Sequence, residues 1–138
     1  MKRLTICLPI LLALAAPVSA QDTLYADLGG QPGIDKLVEI SVDKYLADPR
    51  ISEIFSESNM DRVRAKLKEQ FCVIAGGPCR YTGHSMEATH KGLIITNANF
   101  NALVEDLQAA METCHIPFAT QNRFLARLAP IQHQAVTQ

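Results

Sequence analysis

Tyr81-Thr82-Gly83-His84-Ser85-Met86-Glu87-Ala88-Thr89-His90-Lys91-Gly92-Leu93-Ile94-Ile95 is the stretch on which the reading of this chain turns. It holds two of the four histidines, His84 and His90. Gly76-Gly77-Pro78-Cys79 breaks the chain before it, and amphipathic segments flank it on both sides. A neutral imidazole nitrogen is a common metal ligand. A lone histidine in a polar loop is nevertheless more often structural, so the meaning of His90 must come from its surroundings.

Those surroundings are helical. Upstream, Ile34, Leu37, Val38, Val42, Tyr45 and Leu46 recur at helical steps and predict a helix over roughly 33–47. Asp48-Pro49 ends it, because a residue before proline avoids the helical region. A short turn carrying Ile51, Ile54 and Phe55 follows. Asn59 can cap the next helix, in which Met60, Val63, Leu67, Phe71 and Ile74 share one face. Arg62, Arg64, Lys66 and Lys68 fill its other side. Downstream, Asn97 opens a helix with Phe100, Leu103, Val104, Leu107, Met111 and Cys114 on one face, and Pro117 closes it. Thr120 is placed to cap a last helix through Phe124, Leu125, Leu128 and Ile131, with Pro130 shortening its end. No segment alternates with the period of a strand. The expected class is all-α.

The first twenty residues read differently. Lys2 and Arg3 precede an apolar run from Ile6 to Ala16, and Val18-Ser19-Ala20 is a small-residue cleavage pattern. This is the form of a secretory signal peptide, with a core too short to anchor in a bilayer. The expected domains are thus 1–20, signal peptide, and 21–138, one folded domain. The expected location is outside the cytoplasm, in a bacterial periplasm. Loss of Lys2 and Arg3 takes the formal charge from −1 to −3. That mild acidity argues against nucleic acid or anionic lipid as the main partner. No membrane association is expected once the signal is removed.

Leu24-Tyr25-Ala26-Asp27-Leu28-Gly29-Gly30, Ala47-Asp48-Pro49-Arg50, Gly76-Gly77-Pro78, Tyr81-Thr82-Gly83, the Met86 to His90 spacing, Leu93-Ile94-Ile95-Thr96 and Phe100 occur in order. Together they resemble the group I truncated haemoglobins over nearly all of residues 21–138. The resemblance implies a two-over-two helical sandwich around haem b. It implies His90 as the iron ligand and Phe55 packed on the porphyrin. It implies Lys66 at a haem propionate, with Met86, Ile95 and Phe100 lining the haem. Val63, Leu67, Phe71 and Tyr81 belong to the same cofactor-binding set. One protein ligand leaves the opposite face of the iron open to a diatomic gas: oxygen, nitric oxide or carbon monoxide.

The side chains above the iron depart from the family pattern. The position that usually carries tyrosine is Val42, and two further distal positions fall on Val63 and Leu67. These three side chains offer no donor for a partly charged bound gas, a hydrogen bond worth about 1.5–3 kcal/mol; Tyr45, Gln70 and Lys66 are the polar side chains open to supply one. Fast oxygen release is therefore expected. Gas binding, sensing or simple electron transfer with a redox partner is favoured over an enzyme such as a nitric oxide dioxygenase or a weak peroxidase. Lys66 has a second role open to it, as an iron ligand, once its amine loses its proton.

Three cysteines remain after Cys7 leaves with the signal: Cys72, Cys79 and Cys114. In an oxidising compartment Cys72–Cys79 is the closest pairing, worth about 2.5 kcal/mol in the chain-entropy picture. The alternative is two buried thiols. Cys114, on an apolar helical face, reads as a buried thiol. A zinc site from Cys72, Cys79, His84 and His90 lacks the usual short ligand spacings. A haemless, disulfide-stabilised helical module that binds a protein partner is the remaining alternative, and the His90 motif argues against it. There is no nucleophile–base–acid set and no phosphate-binding glycine loop.

Overall fold

The computed structural model describes residues 23–138. The expected signal peptide and the expected start at Gln21 lie outside the described residues. Among the described residues the regular structure is entirely helical, and no helix is long and apolar enough to cross a membrane.

The chain enters through a single turn of helix, α1 (Leu24–Asp27), with Leu24 buried. Gly29 and Gly30 then reverse direction with φ of 90° and 62°, a left-handed conformation that side-chain-bearing residues resist. The reversal starts α2 (Gly30–Ala47), which buries Ile34, Leu37, Val38, Val42 and Tyr45 along one face. Asp48 turns to extended backbone before Pro49, as the proline rule requires. A 3-10 turn, Ser52–Phe55, follows.

Asn59 caps α3 (Met60–Ile74) by accepting from the Arg62 amide at 2.9 Å. Gly76-Gly77-Pro78 ends that helix in close quarters. A Cβ on Gly77 would fall 2.6 Å from Cys72 Sγ and against the Tyr25 ring. The structure pairs Cys72 with Cys79, their Cα atoms 5.9 Å apart, within the range for a disulfide. An irregular passage then carries one short helix, α4 (Met86–His90), capped by Ser85.

Thr96 and Asn99 form a reciprocal capping box at the start of α5 (Asn97–Thr113). The last long helix, α6 (Phe118–Leu128), starts from Pro117 and not from Thr120. Thr120 lies within the first turn, 6% exposed. Proline at the boundary already provides the extended backbone a cap needs, so the hydroxyl is not required there. Around Pro130 the helix tightens into a 3-10 turn (Ala129–Ile131) before α7 (Gln132–Ala135).

The helices α2 and α3 pack on each other, α5 and α6 pack on each other, and the pairs meet through α2 on α5 and α3 on α6. This is the two-over-two arrangement. The core between the pairs holds Leu37, Val38, Val42, Leu107, Met111 and Phe124. Phe71 and Phe124 meet edge to face, ring centroids 5.1 Å apart.

Candidate functional site

Residues of α3, α5, the 3-10 turn and the α4 passage line a cavity of about 470 Å³, well within the size of cofactor sites. Helix α3 contributes Val63, Leu67, Gln70 and Phe71. The α4 passage contributes Tyr81, Met86, His90 and Ile95, and α5 contributes Phe100, Leu103 and Leu107. Phe55 and Ile54 reach in from the turn. The ten residues expected to bind the cofactor, Lys66 included, thus surround one cavity.

His90 sits at the C-terminal end of α4, half-buried. Its Nδ1 lies 2.7 Å from the backbone oxygen of Met86, one helical turn back. A carbonyl can only accept, so Nδ1 carries the hydrogen. In the neutral ring the lone pair then lies on the other nitrogen, Nε2. Met86 is itself held: its sulfur is 3.1 Å from the Gln70 amide nitrogen on α3.

The rim is polar. Arg62 and His84 are exposed residues of the cavity lining. Lys66 also lines it, with its amine held by Glu69 at 2.7 Å and by the Thr82 hydroxyl. Glu69 accepts in turn from the Thr82 amide at 2.8 Å. The hydrogen bond from Lys66, then that amide, hold the Glu69 carboxyl down at about 2. Tyr81 donates to the His84 carbonyl at 3.0 Å, which curls the loop over the rim.

On the α2 side the arrangement differs from expectation. Val42 is fully buried in the core and does not line the cavity. Tyr45, one turn further on, does line it. Its ring lies parallel to Phe55, centroids 6.1 Å apart. Its hydroxyl has no accessible surface and makes no well-formed hydrogen bond, although the Ser41 hydroxyl lies close enough to offset part of its burial. Burial, and then the charge of Asp106, push this phenol well above its ordinary range. Asp106 likewise has one buried oxygen without a partner. Burial, followed by the charge of Asp48, raises its carboxyl. Asp48 is held low by its hydrogen bonds from Arg50. Ser41, beside Val42, donates its hydroxyl to the Leu37 carbonyl at 2.7 Å.

His115 and His133 are exposed and line no part of this cavity. Cys114 is half-buried on the far side of the core, and burial raises its thiol. The apolar stripe of α5 expected to enclose a flat macrocycle, Phe100, Leu103 and Leu107, does line the cavity. Sequence reasoning did not place Tyr45 there: its helical spacing marked it as core, and spacing alone does not separate a core face from a cavity face.

A family model described as Bacterial-like globin matches residues 23–137. The group 1 truncated haemoglobin of Mycolicibacterium paratuberculosis is 31% identical over 83% of this chain and 85% of its own length. That of Tetrahymena thermophila is 37% identical over 67% of this chain and 76% of its own. This chain belongs to the group 1 truncated haemoglobins. Solved structures agree on the fold. The ferric truncated haemoglobin of Tetrahymena pyriformis superposes with a TM-score of 0.80 at 26% identity, over 83% of this chain and 98% of that one. The cyanomet 2/2 haemoglobin of Synechococcus sp., with covalently attached haem, gives 0.76 at 26% over the same shares. This truncated globin is thus a haem-binding protein of a family that takes small gases at the haem. The residues present suit such a group: an apolar cavity, one imidazole held by its Nδ1 on a backbone carbonyl, and basic side chains at the rim.

Proposed function

We propose that this truncated globin holds haem b through His90 and reversibly binds a diatomic gas against an apolar wall. The observation that carries the reading is the contact of His90 Nδ1 with the Met86 carbonyl at 2.7 Å. It fixes the tautomer in which Nε2 is the ligand atom, and it holds the ring at one angle. Iron bound there would supply an open coordination position for oxygen, nitric oxide or carbon monoxide.

The protein's part is enclosure and orientation. Phe55 and Phe100 offer flat apolar contact, Met86 and Ile95 fill the space beside the imidazole, and Leu67 and Val63 exclude water from α3. Arg62 and Lys66 give the rim the positive charge that carboxylate side groups of the cofactor need. Lys66 serves there as a cation. Glu69 and the Thr82 hydroxyl already hold its amine at the rim, which opposes iron ligation.

Val63 and Leu67 offer no hydrogen-bond donor to a bound gas, and the Tyr45 hydroxyl has no surface on the cavity. Oxygen therefore leaves quickly, whereas carbon monoxide and nitric oxide lose little. Leu67→Gln adds an amide donor and is expected to slow oxygen release about tenfold or more in a stopped-flow displacement experiment. An unchanged rate would overturn the apolar-wall reading.

We also read residues 1–20 as a secretory signal and Cys72–Cys79 as oxidised after export to the periplasm. Intact mass of the protein recovered from the periplasm, with and without thiol alkylation, tests both. Retention of residues 1–20, or alkylation of Cys72 and Cys79 without prior reduction, would overturn them.

A further inference from the structure

Among the described α-helices, only the one that carries His90 buries no residue. Its main packing neighbour is the short helix α7. Something other than burial must hold it at the cavity.

The chain beyond α7 supplies it. The Thr137 hydroxyl accepts from the Ile95 amide at 2.9 Å and donates to the Leu93 carbonyl at 2.8 Å. The Thr137 amide donates to the Ile95 carbonyl at 2.9 Å. One residue thus grips the passage from both directions across 42 positions of sequence. The grip lies immediately downstream of His90. The Leu93 amide donates to the His90 carbonyl at 3.1 Å, and Ile95 lines the cavity, 7% exposed. Between His90 and the grip lies Gly92, with φ of 87° and nothing near the place of a Cβ, so no side-chain packing fixes the passage there. Upstream the passage is tied by the Cys72–Cys79 pair and by Thr82 on Glu69.

We propose that Thr137 is a positioning residue for the His90 ligand: its hydroxyl clamp sets where the imidazole stands and so how firmly haem is retained. The inference rests on His90 being the iron ligand. A hydroxyl that both accepts and donates suits the task, because it fixes two backbone groups of the passage at once. Valine has the same shape and neither function. Serine keeps both.

The test compares parent, Thr137→Val, Thr137→Ser and His90→Ala. Three quantities are read: haem loss to excess apomyoglobin, the iron–histidine stretching band of the ferrous protein, and hydrogen exchange at the Ile95 amide in the haem-free protein. Thr137→Val is expected to lose haem about 3- to 10-fold faster, with a shifted stretching band and faster Ile95 exchange, consistent with one or two lost net hydrogen bonds. Thr137→Ser is expected to match the parent. Thr137→Val matching the parent, or Thr137→Ser failing as badly as valine, overturns the clamp. His90→Ala retaining haem and stretching band would instead overturn the ligand reading on which the clamp rests.

Discussion

On the α2 and α5 side of the cavity, Tyr45 and Leu107 are sealed from solvent, with Leu37 and Val42 in the core behind them; on the His90 side, no residue of α4 is buried. The first wall is built by burial. The second is built by discrete ties: Met86 to Gln70, Tyr81 to His84, Thr82 to Glu69 and Thr137 to Leu93 and Ile95. Burial of apolar surface is non-directional and accumulates over a whole face. Hydrogen bonds fix a position to a few tenths of an ångström but contribute little each. The molecule thus sets stability on one wall and the placement of a single ring on the other.

Substitutions on the two walls should separate these roles. The largest effect is expected at Phe124, fully buried against Phe71. Phe124→Ala should lower unfolding free energy by about 3–5 kcal/mol in chemical denaturation of the haem-free protein. A loss below about 1 kcal/mol would mean that burial does not dominate the core behind that wall.

A smaller effect, of opposite sign, is expected at Tyr45. Its buried hydroxyl makes no well-formed hydrogen bond, so Tyr45→Phe removes a poorly compensated polar group and should be neutral or stabilising by about 1 kcal/mol. A clear destabilisation would show that the hydroxyl has a partner in solution, the neighbouring Ser41 hydroxyl first.

The smallest effect concerns the ties. Glu69 has its carboxyl lowered from 4.5 to about 2 by the hydrogen bond from Lys66 and the Thr82 amide. A depressed carboxyl contributes above its unfolded value, and the contribution is lost as pH falls through the folded one. Between about pH 4.5 and 2, the loop around Thr82 should loosen, seen as faster hydrogen exchange at the Thr82 amide. Glu69→Gln should show the faster exchange already at pH 7. Acid sensitivity of that amide unchanged in Glu69→Gln would show that another group holds the loop.

The helices were legible because their signals are local. Asn59, the Gly76-Gly77-Pro78 break and the three- and four-residue spacing of apolar side chains each act within one or two turns. The cavity was legible in its membership and less so in its facing. Val42 and Tyr45 lie three residues apart, hence on neighbouring strips of α2. Which strip meets the cavity depends on how α2 rolls against α5, and no local pattern encodes that roll. Thr120 had the chemistry of a cap, and Pro117 took the position first. The Thr137 clamp left no mark at all, because a hydrogen bond between residues 42 apart has no periodicity to detect.

The account rests on His90 holding the iron. Its most direct test is the Soret spectrum of residues 21–138 reconstituted with haem, recorded beside His90→Ala. The parent should show a haem spectrum with an axial imidazole that the variant loses, while far-UV circular dichroism of the haem-free forms stays the same, since α4 buries nothing. The same Soret band and the same haem retention in His90→Ala would contradict it.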